Sequence, residues 1–179
     1  MDEPLVSLEE QVKAGRNYDT PPLDLWHPAL SGDIPIHIDA QGDWYHEGVK
    51  IERQSLVRLF ASILRREEDG EYYLVTPSEK WRITVTLHPL IITDIDVCIE
   101  ESLPTLEATL NTGRRVRVCE ENSLFLEPGV GNVAAIKLSH GLTALCTRSA
   151  WYRLVELATA ADREPLLKSG SYEFRLSPD

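Results

Sequence analysis

The chain has 179 residues, a formal net charge of −11 and 42% hydrophobic residues, enough for one ordinary domain or two small ones. Its acidity excludes a large basic face, so neither nucleic acid nor an anionic membrane surface is an expected partner.

Ser7-Leu8-Glu9-Glu10 fits a capping box for a short helix, with Ser7 as cap and Gly15 as its end. Prolines make Pro21 to Pro28 an extended stretch, and Trp26 is expected to pin it to the core. Ile34, Ile36 and Ile38 alternate with polar residues as in a half-buried strand, which Pro35 would place at a sheet edge or a strand start. Gln41-Gly42-Asp43 turns the chain into a second strand from Trp44 to Ile51. Leu56, Leu59, Phe60, Ile63 and Leu64 have the spacing of one helical face, with Arg65 and Arg66 at its C-terminal end. Glu67-Glu68-Asp69-Gly70 breaks that helix, and strands follow at Tyr72–Thr76, Trp81–Leu87 and Leu90–Ile99. Further strands are expected at Leu106–Leu110, Arg115–Cys119 and Leu124–Leu126, then a hairpin from Ala134 to Cys146. Ser149 is read as the cap of a helix whose inner face is Trp151, Leu154, Val155 and Ala158, and a strand at Tyr172–Leu176 closes the chain.

Two stretches echo each other. Arg53-x-x-Leu56-Val57-Arg58-Leu59 is matched by Arg148-x-x-x-Tyr152-Arg153-Leu154-Val155. Each is followed by Gly-x-Tyr-x-apolar, at Gly70 and Gly170, and each then ends at a proline, Pro77 and Pro178. The expected fold is therefore α+β: two tandem repeats of β-hairpin, helix and strand with mostly antiparallel sheets. The expected division is 1–23 as an N-terminal helix and extended arm, 24–90 as the first repeat and 91–179 as the second. Two like units create a cleft between them, and such clefts favour ligand sites.

No catalytic motif is present. Gly129-Val130-Gly131-Asn132 lacks a third glycine and a Lys-Ser/Thr pair, so it reads as a plain turn. His37 and His46, with Asp39 nearby, face each other across the first hairpin on this reading; a solvated pair is preferred to a metal site, because no ligand spacing accompanies them. Cys98, Cys119 and Cys146 are odd in number, form no Cys-x-x-Cys pair and have no local basic partner. No cofactor is expected. No apolar run reaches the ~18 residues a membrane helix needs. The start Met1-Asp2-Glu3-Pro4 lacks a signal-peptide core, so a cytoplasmic protein with reduced thiols is expected.

The richest polar stretch runs from Leu74 to Trp81. Lys80 can meet a phosphate, Thr76 and Glu79 can hydrogen-bond, and Trp81 or Trp44 can stack on a base; the competing reading is a charged surface hairpin with a core tryptophan. Arg53 and Arg148 stand at helix starts, where the dipole disfavours a cation, so each is either an internal salt bridge or an anion contact.

Gly32-Asp33-Ile34, Gly42-Asp43-Trp44-Tyr45, Gly48, Leu56–Phe60 and above all Leu74-Val75-Thr76-Pro77-x-Glu79-Lys80 resemble a bacterial family, the domain of unknown function DUF1285. Gly141-Leu142-x-Ala144 and Arg148-x-x-x-Tyr152-x-Leu154-Val155 resemble its second half. The chain departs from the family pattern at Ser31, where the family has cysteine, and at Leu87-His88-Pro89-Leu90, where it has Asp-Ala-Pro-Phe. The resemblance implies a duplicated α+β core with a superficially pleckstrin-homology-like C-terminal unit. It also implies a nucleotide-like ligand between the units, a part in signal transduction, and no established activity.

These readings converge on a non-enzymatic ligand-binding or sensing module for a small anionic ligand. Its expected site is Trp44, Arg53, Thr76, Glu79, Lys80, Trp81 and Arg148. The alternative is an adaptor that binds another protein and no small molecule. An enzyme acting on a phosphorylated metabolite stands third.

Overall fold

Isoleucines alternate through β1 (Leu30–Ile38) and continuous apolar runs open β7 (Leu90–Glu100), and each of these strands anchors one six-stranded sheet. The computed structural model describes residues 3–14, 20–160 and 164–177. The chain divides into two units, Met1–Pro89 and Leu90–Asp179.

The first unit begins with α1 (Glu3–Ala14). Pro4 suits a first helical turn, where its missing N–H is no loss. Ser7 therefore lies inside α1 instead of capping it, and the expected stop at Gly15 lies outside the described residues. After β1 come β2 (Trp44–His46), β3 (Val49–Lys50), α2 (Gln54–Ser62), β4 (Leu64–Arg66), β5 (Tyr72–Val75) and β6 (Lys80–Val85). The expected single strand Trp44–Ile51 is a tight hairpin, because Glu47 and Gly48 both take positive φ, at 51° and 79°. The sheet order is β3-β2-β1-β6-β5-β4, with β1 parallel to β6 and every other pair antiparallel.

Pro35 sits in the middle of an interior strand, where it has no N–H to offer a ladder. The structure resolves this by breaking the β1–β6 register between Asp33 and His37, so the proline falls in a bulge. Its carbonyl still accepts the Glu47 N–H at 2.9 Å. The helical face of α2 buries Leu56, Val57 and Phe60. The helix ends sooner than its spacing predicts: Leu64 and Arg65 belong to β4 and pair with Leu74 and Tyr73 of β5.

The second unit runs β7, β8 (Leu103–Leu110), β9 (Arg115–Arg117), β10 (Leu124–Glu127), β11 (Val133–Lys137), β12 (Thr143–Cys146), α3 (Arg148–Thr159), β13 (Leu166–Ser169) and β14 (Tyr172–Arg175). Its sheet order is β10-β11-β12-β7-β8-β9, with β7 parallel to β12. β13 and β14 form a two-stranded sheet of their own. The cap of α3 is Thr147, whose hydroxyl accepts the Ala150 N–H at 3.2 Å; Ser149 lies one residue inside the helix. Ala150, Leu154 and Ala158 form its buried face, while Trp151 is half-buried. Pro178 lies outside the described residues.

The fold is thus α+β, with two similar halves and mostly antiparallel pairing. Hairpin, helix and strand follow one another in both halves, yet α2 enters between β3 and β4 whereas α3 enters after β12. No described helix is long and apolar enough to cross a membrane.

Candidate functional site

The turn between β5 and β6 is built around Thr76, which is fully buried. Its hydroxyl oxygen accepts the backbone N–H groups of Glu79 (3.0 Å) and Ser78 (3.3 Å) and donates to Gln11 Oε1 at 2.8 Å. The Glu79 carboxylate accepts from Ser7 Oγ at 3.2 Å and from Trp81 Nε1 at 3.3 Å. Arg53 Nη2 meets Glu9 Oε1 at 2.6 Å, so Arg53 forms the internal salt bridge that its position at a helix start allowed. Arg53, Thr76 and Glu79 therefore share one partner element: each holds a polar side chain of α1.

Trp81 is half-buried and lies over Gly32, where a Cβ would come within 3.3 Å of its ring. Gly32 is required there for a second reason, a φ of 146°. Trp44 is a core residue, 1% exposed, with its ring centroid 6.3 Å from that of Phe60. Its Nε1 is buried without a hydrogen-bond partner among the described residues. Arg148 lies in the second unit, exposed, with its guanidinium 5.5 Å from the Tyr152 ring centroid and its Nε donating to the Tyr152 hydroxyl at 3.1 Å.

Lys80 opens onto a groove of about 640 Å³ in the first unit. One wall is the arm segment with Asp24, His27 and Pro28; the other is the β4–β5 turn from Arg65 to Asp69. Arg65 fixes the first wall by donating from Nη1 to the carbonyls of Leu23 (3.0 Å) and Trp26 (2.9 Å). Within the second wall, Glu67 accepts from Arg65 Nη2 at 2.6 Å and from Lys80 Nζ at 2.9 Å. Burial works to raise the Glu67 carboxyl, but the hydrogen bonds from Lys80 and Arg65 outweigh it and hold its pKa below the usual value. The Lys80 ammonium lies 4.7 Å from the Tyr73 ring centroid. The Tyr73 hydroxyl donates to Asp69 Oδ2 at 2.6 Å, and that bond, helped by burial, pushes its pKa up to about 12. Ser31 accepts the backbone N–H of Lys80 on Oγ at 3.1 Å.

Of the seven expected residues, only Lys80 lines this groove. The sequence reading missed Arg65, Arg66 and Glu67 because it ended a helix on them. The available signal was the run Arg-Arg-Glu-Glu-Asp-Gly, whose alternation of arginine and glutamate at 65 and 67 fits one face of a strand.

His37 and His46 do not face each other. The register sets His37 opposite Tyr45 and Ile36 opposite His46, which puts the two histidines on opposite faces. His37 Nε2 instead lies 2.6 Å from the Thr86 hydroxyl. Among the described residues, no group of three or more His, Cys, Asp and Glu side chains is placed to hold a metal ion. Gly129 donates its N–H to Glu127 Oε1 in a single 3-10 turn, as a plain loop does.

Residues 21–86 match the N-terminal domain of a domain of unknown function, DUF1285, and residues 89–176 match the C-terminal domain of that protein of unknown function. A crystal structure of a DUF1285 family protein from Silicibacter pomeroyi DSS-3 is 31% identical, with a TM-score of 0.76 over 95% of this chain and 90% of that one. Another, from Shewanella baltica OS155, is 29% identical, with a TM-score of 0.58 over 69% of this chain and 91% of that one. None of the curated proteins matches the chain.

Proposed function

The chain belongs to the DUF1285 family, and from that premise we propose that it is a non-enzymatic binding and sensing module for a small anionic, nucleotide-like ligand. The observation that carries this reading is the floor of the Lys80 groove. Two cations there, Arg65 and Lys80, share the single carboxylate of Glu67, a local excess of one positive charge at that cluster, although the whole lining carries three cations against four carboxylates. An ammonium has three donors, and a phosphate is the oxygen-rich partner that uses them best. Arg66 adds a third cation to the lining, while Asp24, Glu68 and Asp69 supply acceptors. That mixture suits a ligand with a phosphate at one end and sugar hydroxyls or base amino groups at the other. The volume lies within the ordinary range for small-molecule sites. A cytoplasmic setting, with which three free thiols agree, and a part in signalling belong to the same proposal.

The test is a thermal-shift screen against nucleotides, nucleotide second messengers and phosphorylated metabolites. A ligand at ~100 times its dissociation constant adds about 2.7 kcal/mol, a shift of several degrees. Lys80→Met should abolish the shift; charge reversal is the poorer variant because it would set two carboxylates against each other at Glu67. A hit that survives Lys80→Met moves the ligand elsewhere.

A flat screen favours the adaptor reading, which has its own observation. Val97, Ile99 and Leu103, at the outer end of the β7–β8 ribbon, are 44%, 68% and 50% exposed. On that reading, Ile99→Asp removes a specific protein partner from a pull-down.

A further inference from the structure

We infer that the open edge of β7 from Ile95 to Ile99 is a docking edge for an extended segment of another protein, which alternates aliphatic with basic residues and joins the sheet as a strand. This names the partner class for the adaptor reading and rests on that reading. It uses none of the residues lining the Lys80 groove.

β12 runs beside β7 only from Leu90 to Ile92. The Thr147 N–H gives the Ile92 carbonyl one last bond, at 2.9 Å, and the chain then turns into α3. Among the described residues no strand takes up the vacated lane, although β7 continues to Glu100 with β8 on its other side. The backbone groups that face the lane follow from the bonds of β8. Leu106, opposite Val97, donates its N–H to Ser169 Oγ, and Pro104, opposite Ile99, accepts the Gly170 N–H on its carbonyl. Opposite residues of an antiparallel pair either bond each other or both turn away, so Val97 and Ile99 turn away from β8. Ile95 agrees, because its N–H goes to Asp94 Oδ1 at 2.8 Å. Val97 and Ile99 therefore each present an N–H and a carbonyl to the lane. Their side chains are exposed, whereas Ile95, on the same face, is buried.

Charge selects the occupant. Asp94, Asp96 and Glu100 alternate with these apolar residues and share the opposite face with Glu107. Arg115 meets Asp96 at 3.2 Å and Glu107 at 2.7 Å, and Arg117 meets Glu100 at 2.7 Å. Four carboxylates against two guanidiniums leave that face two negative charges in excess. Both arginines come from β9, beyond β8, so the side next to the lane is left to carboxylates. A second copy is a poor occupant. Pairing β7 with itself about Val97 sets Asp94 opposite Glu100, and like charges directly opposite destabilise a pair. A strand with lysine or arginine on one face and valine or isoleucine on the other answers the carboxylates, covers Val97 and Ile99 and takes up their backbone groups.

The experiment titrates a labelled peptide of alternating lysine and valine with the full chain and follows fluorescence anisotropy. One control has the same composition with its lysines and valines in separate blocks, and a second alternates glutamate with valine. The alternating basic peptide should bind about ten-fold more tightly than either control. Val97→Pro deletes a lane-facing N–H and leaves the β8 ladder intact, so it should weaken binding about ten-fold. Should that variant lose its fold, hydrogen exchange on the wild-type chain decides: the Val97 and Ile99 amides should slow when the basic peptide is added. No binding, equal binding of the alternating and block peptides, or unchanged exchange at Val97 and Ile99 overturns the inference. So does a dimer in sedimentation that Val97→Pro dissolves, since the lane would then hold a second copy. A protein partner lost with Ile99→Asp but kept by Val97→Pro would leave the adaptor reading standing and overturn strand addition.

Discussion

The two six-stranded sheets share a plan and differ in how they are closed. In each, three strands form one meander, three form a second, and the first strand of one lies parallel to the last of the other. The pair β7–β12 is regular over its length, whereas β1–β6 is broken at Pro35. α2 joins the two meanders of the first sheet, while α3 follows the second sheet and leads into β13–β14. The helices that begin near Arg53 and Arg148 therefore serve different joints. Strand order is fixed by pairing and by the buried face, and it tolerates a covering helix that enters at either point, provided its apolar stripe reaches the sheet.

The largest effects should come from emptying the core beneath each helix. Phe60→Ala in α2 and Leu154→Ala in α3 both remove side chains that are 0% exposed, and each should cost about 2–5 kcal/mol. Hydrogen exchange gives the sharper readout. Phe60→Ala should lower protection in β1, β5 and β6, and Leu154→Ala in β7, β11 and β12. Equal loss in both sheets from either change would break the comparison and make the chain one cooperative body. Next comes Ser169→Ala. The Ser169 hydroxyl accepts the Leu106 N–H at 2.9 Å and donates to the Val118 carbonyl at 2.5 Å. Its removal strands two buried backbone groups, so a loss of about 1–3 kcal/mol is expected in denaturant titration. A neutral result would mean that β13 is held to the second unit by packing alone.

How much of this could be read from the chain depends on whether a signal was local. The alternation of Ile34, Ile36 and Ile38 and the turn glycine at 42 marked strand and turn correctly, because periodicity and φ preference act over a few residues. Leu64 and Arg65 failed for a non-local reason. They continue the helical spacing of α2, but pairing with β5 wins over it. The parallel pairs β1–β6 and β7–β12 join residues some fifty apart, for example Asp33 with Arg82, and no pattern in the sequence announces them. β13 was missed because Leu166–Ser169 is too short to show a period. Among the candidate residues, Lys80 was found from its loop, but its partner Glu67 looked like a helix breaker until β4 was placed. Arg53 was legible as an anomaly, a cation at a helix start, although nothing named Glu9 as the acid that answers it.

Two smaller predictions use the same contrast between the halves. α3 has a side-chain cap and α2 has none, so Thr147→Ala should cost about 1 kcal/mol. Chemical denaturation followed by circular dichroism will measure it, and a loss below a few tenths would show that packing of Leu154 alone holds the helix start. The smallest effect belongs to the first unit. Glu67 has a folded pKa below its ordinary value, so its contribution is present above the usual glutamate range and is lost as pH falls through the depressed value. Asp69 is also held low by its bond from Tyr73, so both acids push in the same direction. Glu67→Gln should therefore lower stability slightly at neutral pH, by less than about 1 kcal/mol given its partial exposure, and the deficit should close in acid. A deficit that persists unchanged below the carboxylate range would mean that Glu67 acts through shape and hydrogen bonding, and the excess charge assigned to the groove floor would then have to be found elsewhere.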